Sequence, residues 1–335
     1  MNAVYYERYG PSDVLRVATL PDPRPRAGEI LIRICAAEVT KSDCELRSFR
    51  LPVLWFWLPL RLALGVFRPR KRVLGNYFAG EVLETGPEVR KFQRGDRIFG
   101  CTGFKLGAHA EFLCLSDAQT IAPMPENLTY AEAASIPLGG LNALHFLRRA
   151  NIRPGEKVLI NGAGGSIGMF AVQLAKHMGA EVTAVDARHK ESFLRGLGAD
   201  HFIDHQTTDF SQTGETFDVV FSTVASSSYA KCFRILNPGG RYVIANPRFS
   251  DLVRANFQSK AAMRRSIAAF AKETREELHA LKALFEAGSI RPVVDRTYSL
   301  AQCAEAHQRV EAEQRLGAVV FSMVADAVGV KAQPI

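Results

Sequence analysis

Lys157-Val158-Leu159-Ile160-Asn161-Gly162-Ala163-Gly164-Gly165-Ser166-Ile167-Gly168 is the stretch on which the reading of this chain turns. Val158, Leu159 and Ile160 form a short apolar run of the kind buried on both faces of a parallel sheet, and helical spacing of apolar residues begins at Met169. Strand, glycine turn and helix therefore stand in the order that a dinucleotide-binding unit requires. Gly162 permits a sharp exit from the strand, Gly164 and Gly165 let backbone approach a pyrophosphate, and Gly168 lets the helix pack closely on the strand. The backbone from Ala163 through Ser166 and Ile167 presents N–H groups to the anion. The spacing is GxxGxxG rather than GxGxxG, so context carries the reading. The alternative is a glycine-rich turn that binds no dinucleotide.

Working outward, the next strand, over 181–185, ends at Asp186, where a carboxylate can accept both ribose hydroxyls of NAD. Arg188, His189 and Lys190 follow at once, and such cations can hold the extra phosphate of NADP or simply line a solvated helix start. The two signals oppose each other, with a slight lean to NADH because the carboxylate makes charge-assisted bonds to a diol. Further strands are expected at 202–203, 218–221 and 241–245, and this alternation with helices predicts a doubly wound parallel sheet. Thr223 and Val224, then Asn246 and Pro247, end successive strands on the edge where such sheets bind ligands. They are expected to border adenosine and nicotinamide respectively, or to be ordinary turns.

The remainder reads differently. Short strands with turn punctuation at 3–6, 29–35, 78–84, 96–99 and 108–115 predict an irregular β-rich domain. Beyond the nucleotide domain come a helical stretch over 261–286, a turn at Gly288, a helix from 301 and a strand over 318–321 that returns to the first domain. At 335 residues and 47% hydrophobic, the chain has enough material for two domains. The expected division is 1–122 with 272–335, and 123–271.

Composition narrows the classes of function. The net charge of +8 is interspersed rather than clustered, which argues against nucleic acid as a partner, and a phosphate-rich cofactor also favours positive potential. Six cysteines without a CxxC pair fit reduced thiols in a cytoplasm, and strand character from the first residues argues against a cleavable targeting segment. Residues 51–67, LPVLWFWLPLRLALGVF, precede the basic group Arg68, Arg70, Lys71 and Arg72. Pro52, Pro59 and Arg61 interrupt the run too often for a membrane span. Segment 51–72 is expected to be a flap over a site or a peripheral membrane contact.

Several blocks in fixed order then carry a resemblance: Tyr9-Gly10-Pro11-Ser12-Asp13-Val14-Leu15, Gly95-Asp96-Arg97-Ile98-Phe99-Gly100, Ala133-Ala134-Ser135-Ile136-Pro137-Leu138-Gly139-Gly140-Leu141-Asn142, the glycine turn, and Leu236-Asn237-Pro238-Gly239-Gly240. Over nearly its whole length the chain resembles the zinc-free quinone oxidoreductase branch of the medium-chain dehydrogenase/reductase family. The resemblance implies an α/β protein with a GroES-like β-rich catalytic domain built from both chain ends, a Rossmann domain between them, NAD(P)H in the interdomain cleft, and a homodimer. By position in the family motif, Thr40 and Asp43 line the nicotinamide side. Relatives usually carry Asn in place of Thr40 and often tyrosines in place of Glu45 and Arg47. Asn142 stands where relatives often have Thr and is expected to bond the cofactor. Tyr77 is expected either to donate to a substrate oxygen or only to pack.

A catalytic zinc needs three protein ligands and a structural zinc four. Thr40 stands where zinc-dependent relatives have Cys, and Asn76-Tyr77 where they have His-Glu, so no metal is expected. Without a Lewis acid, the substrate must accept hydride readily, as quinones and conjugated carbonyls do. The expected activity is NAD(P)H-dependent reduction of a quinone or similar conjugated carbonyl. Reduction of 2-enoyl thioesters or alkenals is the neighbouring alternative. A catalytically idle relative that binds membrane, RNA or a protein is the alternative from another class.

Overall fold

The computed structural model of the protein describes residues 1–51, 57–257 and 263–324. The chain opens with β1 (Asn2–Tyr5) and β2 (Arg16–Thr19), an antiparallel pair, followed by the long β3 (Glu29–Val39). Helices α1 (Lys41–Ser48) and α2 (Trp57–Leu64) precede β4 (Tyr77–Thr85), β5 (Arg97–Cys101), β6 (Phe112–Ser116) and β7 (Ile121–Pro123). Two helices, α3 (Tyr130–Ala134) and α4 (Ile136–Ala150), lead into the alternating region: β8 (Lys157–Asn161), α5 (Ser166–His177), β9 (Glu181–Asp186), α6 (Glu191–Gly196), β10 (His201–Asp204), β11 (Phe217–Ser222), α7 (Tyr229–Arg234), β12 (Leu236–Ile244), α8 (Phe249–Asn256) and β13 (Arg265–Ala268). Last come α9 (Arg275–Glu286), β14 (Val294–Tyr298), α10 (Cys303–Glu311) and β15 (Ala318–Ser322). Contacts divide the chain into two compact units, one of 1–137 with 273 onward and the other of 138–272.

In the first unit seven strands form one sheet in the order β14-β15-β3-β4-β5-β7, with β6 also on β3. Alternation explains β3: Ile30, Ile32 and Ile34 enter the core with Phe78, Val82 and Ile98, while Glu29, Leu31 and Arg33 take the other face. The C-terminal β15 pairs antiparallel with β3, joining Val319 to Val39 and Phe321 to Ala37. The two chain ends thus build one GroES-like sheet. Arg47, the largest fully buried side chain, ties this unit further by donating to Gly10 O and pairing with Glu311 on α10.

The second unit holds a six-stranded, wholly parallel sheet in the order β10-β9-β8-β11-β12-β13. Counted from β8 this is 3-2-1-4-5-6, the Rossmann order, with its topological switch point between β8 and β11. Val158, Leu159 and Ile160 are fully buried, as a strand covered on both faces must be.

One sequence expectation is corrected. The helical stretch over 261–286 is instead the sixth strand, β13, followed by α9. Arg265 to Ala268 pair in register with Arg241 to Ile244, and the Thr274 hydroxyl caps α9 by accepting from Glu277 N, which sets the helix start at 275. Residues 258–262 lie outside the described residues, as do 52–56 of the apolar segment and 325–335 of the tail.

Candidate functional site

In the second unit the glycine turn joins β8 to α5, and its glycines answer different needs. Gly162 takes φ 82°, and a Cβ there would lie 2.4 Å from Thr223 Oγ1. At Gly168 a Cβ would lie 2.2 Å from Gly162 O, so the helix packs on the turn as the spacing implies. At Gly164 it would meet Lys190 Cδ at 2.4 Å and Asp186 Oδ2 at 3.0 Å. Gly165 differs: the nearest atom to its Cβ would be Gly162 O at 3.5 Å, an ordinary contact. No packing contact requires glycine at 165, which caps the helix start, and a ligand approaching that start would favour its lack of a side chain.

The turn's backbone donors are distributed more narrowly than the sequence suggested. Gly162 N and Ala163 N both donate to Val185 O, Gly164 N donates to Asp186, and Gly165 N donates back to Gly162 O. The part of the turn that an anion could meet is therefore the start of α5, where Gly165 is the N-cap and contributes no side-chain cap. The cradle fits a pyrophosphate there, and not along the whole turn.

Asp186 and Lys190 belong together. The Asp186 carboxylate, 8% exposed, accepts from Gly164 N at 2.7 Å and Ala187 N at 2.8 Å, and pairs with Lys190 Nζ at 3.0 Å. Lys190 is itself buried, so the opposition expected between Asp186 and Lys190 is in this structure an ion pair that braces the turn. Arg188 is exposed and pairs with Glu191. At the other strand ends, Thr223 Oγ1 donates to Asn161 O and Gly162 O, Val224 is partly exposed, Asn246 donates to Thr223 O, and Pro247 is buried. These bonds draw the tips of β8, β11 and β12 together across the switch point. Asn142 lies on α4 and donates its amide to Leu138 O at 2.8 Å, leaving its carbonyl oxygen directed elsewhere. Gly139, one turn before it, lets α4 meet the start of α5: a Cβ would lie 2.1 Å from Ser166 O.

A cleft of about 420 Å³ opens at the same carboxyl edge, lined by Asn161, His205, Thr208, Asp209, Ser227 and Lys231. Lys231 and a hydroxyl and amide of Ser211 hold the Asp209 carboxyl well below its usual range. Sequence reasoning missed these residues, because they sit in loops whose only signal is that they follow β10 and β11.

In the first unit Thr40 and Asp43 form a capping box at the start of α1. Thr40 N and Oγ1 donate to Asp43 Oδ2 at 2.9 and 2.6 Å, Asp43 N donates to Thr40 Oγ1 at 3.1 Å, and Gly75 N donates to Asp43 Oδ1 at 3.0 Å. Both side chains are buried. Tyr77 is also buried, and its hydroxyl donates to Glu273 at 2.7 Å. Burial and the Glu273 carboxylate push the Tyr77 phenol well above its ordinary value, and the same two causes raise the Cys101 thiol opposite it on β5. Glu273 was not legible in the sequence, being 196 residues from Tyr77 in an unpatterned stretch. Glu45, half-buried on α1, has its carboxyl raised to about 7 by burial, with Lys41 opposing and Glu313 reinforcing the shift.

Among the described residues no group of three His, Cys, Asp or Glu side chains could hold a metal ion. Thr40 and Asp43 are committed to the helix cap, and Asn76 accepts from Thr102.

Comparison with known proteins matches three family models: an alcohol dehydrogenase GroES-like domain over 26–126, an alanine dehydrogenase/PNT C-terminal domain over 148–230, and a zinc-binding dehydrogenase domain over 197–321. The solved quinone oxidoreductase of Coxiella burnetii is 29% identical, with a TM-score of 0.85, covering 97% of this chain and 99% of that one. The 2-methylene-furan-3-one reductase of Solanum lycopersicum is 28% identical over 96% of this chain and 79% of that protein. The spectinabilin polyketide synthase protein NorB of Streptomyces orinoci is 35% identical over 272 residues, 78% of this chain but only 12% of that much longer protein.

Proposed function

We propose, for a chain that belongs to the medium-chain dehydrogenase/reductase family, the NAD(P)H-dependent reduction of a quinone or another conjugated carbonyl without a metal ion. The observation that carries this reading is the glycine turn at the switch point of a 3-2-1-4-5-6 sheet, where Gly165 is the one glycine of the turn that the protein's own packing does not require. A bound nicotinamide would supply the hydride. The protein's own part is to bind, orient and manage a proton.

The start of α5 would hold the pyrophosphate, and the Asp186–Lys190 pair would meet the adenosine ribose, with the carboxylate toward a diol and the ammonium toward a phosphate. Thr223, Val224, Asn246 and Pro247 would border the bound nucleotide, and the Asn142 carbonyl oxygen would accept from it. On the first unit, Thr40 and Asp43 act as positioning residues, since their bonds fix the start of α1 against Gly75. Two groups can hold a proton: Glu45, whose carboxyl titrates near neutrality, and the Tyr77–Glu273 pair, in which the phenol keeps its proton and shares it with the carboxylate. Residues lacking the set of a zinc site leave oxyanion charge to hydrogen bonds, which suits acceptors that delocalise charge.

Reduction of an enone is the second reading, favoured by the full-length likeness to a reductase whose named substrate carries a methylene conjugated to a ring ketone. Oxidation of NADH and NADPH over a panel of benzoquinones, naphthoquinones, enones and enoyl thioesters tests both readings; turnover of none of them would refute the reductase assignment. A homodimer belongs to the same proposal, because β13 is the outermost strand of the parallel sheet among the described residues, on a side where a second copy could pack.

A further inference from the structure

Helix α2 is built inside out. Its arginine, Arg61, points into the protein: the guanidinium lies 4.0 Å from the ring centroid of Tyr9, 4.4 Å from that of Phe49 and 5.8 Å from that of Trp57. The Tyr9 hydroxyl fastens the end of the helix by donating to Gly65 O at 2.8 Å. With the charged side anchored, the apolar side is left in solvent. Leu58 and Leu62, one turn apart, are 59% and 56% exposed, and α2 buries none of its eight residues. Just beyond, Val66 is exposed and Phe67 is 91% exposed, followed by the cations Arg68, Arg70, Lys71 and Arg72, all on the surface.

A surface helix in water normally turns its leucines inward and its arginine outward. The reverse arrangement costs hydration free energy unless something apolar covers it. Two features say what that something is. Apolar side chains rimmed by cations match the two layers of a bilayer surface, acyl chains beneath anionic headgroups. Trp57, at 41% exposure, stands at the helix start, where an indole can sit at headgroup level. No helix among the described residues is long and apolar enough to cross a membrane, so the contact is one of docking.

We propose that residues 57–72 form a peripheral docking surface for anionic lipid bilayers, with Leu58, Leu62 and Phe67 entering the acyl region and Arg68, Arg70 and Lys71 engaging headgroup phosphates. This surface does not depend on the hydride chemistry proposed above. It would let the enzyme work on substrates that reside in the membrane.

The chain supplies its own probe, since Trp57 lies on this surface and the other tryptophan, Trp55, is only two residues before it in the sequence. The full-length protein, without cofactor or substrate, is mixed with vesicles of phosphatidylcholine alone or of phosphatidylcholine with phosphatidylglycerol, and bound protein is measured by sedimentation and by tryptophan emission. The expected result is binding to the anionic vesicles with a blue shift, weakened by salt. Each cation held at the surface is worth about fivefold in partitioning, so Arg68→Gln with Lys71→Gln lowers it by about 25-fold. Leu58→Ser with Leu62→Ser abolishes the blue shift while leaving turnover of a soluble benzoquinone unchanged. The inference is overturned by absence of binding to either vesicle, by binding without a change in tryptophan emission, or by binding that survives Leu58→Ser/Leu62→Ser. It is equally overturned if that double variant changes the KM for a soluble quinone and not vesicle binding, which makes α2 a flap. A protein that binds vesicles but reduces nothing fails the reductase reading and keeps this one.

Discussion

Asp186 and Lys190 lie 3.0 Å apart, each about nine-tenths buried, and the Asp186 carboxylate also holds Gly164 N. A sequence reading sets these two residues against each other as rival determinants of cofactor choice. The structure couples them, so substituting either one changes the other's environment.

With the ribose placed at this pair as proposed, Asp186→Ser would do two things at once: remove repulsion toward a 2′-phosphate and free Lys190 to meet it. The ratio of kcat/KM for NADPH to that for NADH is expected to rise by about tenfold or more, beyond what one exposed charge pair would give. Lys190→Ala is expected to lower the use of both cofactors and to cost about 3 kcal/mol of stability, because it strands a buried carboxylate. Steady-state kinetics with both cofactors and urea unfolding check this. An unchanged ratio in Asp186→Ser would remove Asp186 from the ribose.

Gly168→Ala should lower stability, since its Cβ would lie 2.2 Å from the Gly162 carbonyl oxygen and 2.6 Å from Ala163 Cα. A loss of about 1–3 kcal/mol is the usual cost of forcing a methyl group into such packing. Thermal unfolding of the variant measures it, and an unchanged Tm would mean that the turn can open without cost.

Glu45 gives the fold a pH dependence of known sign. Burial raises its folded-state value from 4.5 to about 7, so between those limits the folded protein holds a proton that the unfolded chain releases. Stability from this group is intact below about pH 4.5 and is lost as pH rises toward and through 7. Glu45→Gln removes the loss: its Tm should match wild type at pH 4 and exceed it at pH 8 by roughly 2–4 °C. If Glu45 also supplies the proton in turnover, kcat in wild type falls above pH 7, and Glu45→Gln loses that limb of the profile.

Tyr77→Phe deprives Glu273 of a buried donor and should cost about 1–3 kcal/mol of stability. With the phenol proton directed at Glu273, kcat for a quinone should fall no more than a few-fold. A loss of about a hundredfold or more would instead give Tyr77 a direct role toward substrate.

The parallel sheet was legible because its signal is local. Apolar runs such as Val158-Leu159-Ile160, glycines at fixed offsets and strand ends such as Asp186 lie within one βαβ unit. Strand β13 was not legible, since Arg265-Ser266-Ile267-Ala268 carries no alternation that separates a short strand from a helix. In the first unit the motif placed Thr40 and Asp43 together but could not tell a helix cap from a substrate contact, as both use a hydroxyl and a carboxylate three residues apart. Partners distant in sequence, such as Glu273 for Tyr77 and Glu311 for Arg47, left no trace at all. Lys190 was visible as a charge; that it is turned inward onto Asp186 is a matter of packing.

The most direct test of the account is nucleotide binding by Gly165→Val. The position has φ −83° and ψ 170°, where a β-branched residue is unstrained, and its Cβ would touch nothing closer than 3.5 Å. The variant should therefore fold, at a cost of about 1 kcal/mol for replacing a glycine N-cap with valine, while its side chain obstructs the approach of a pyrophosphate to the start of α5. By isothermal titration calorimetry, wild type should bind NADH or NADPH and Gly165→Val should bind either at least tenfold more weakly, on the order of 1.4 kcal/mol. Undiminished affinity in a fully folded Gly165→Val variant would contradict the placement of the cofactor on this turn.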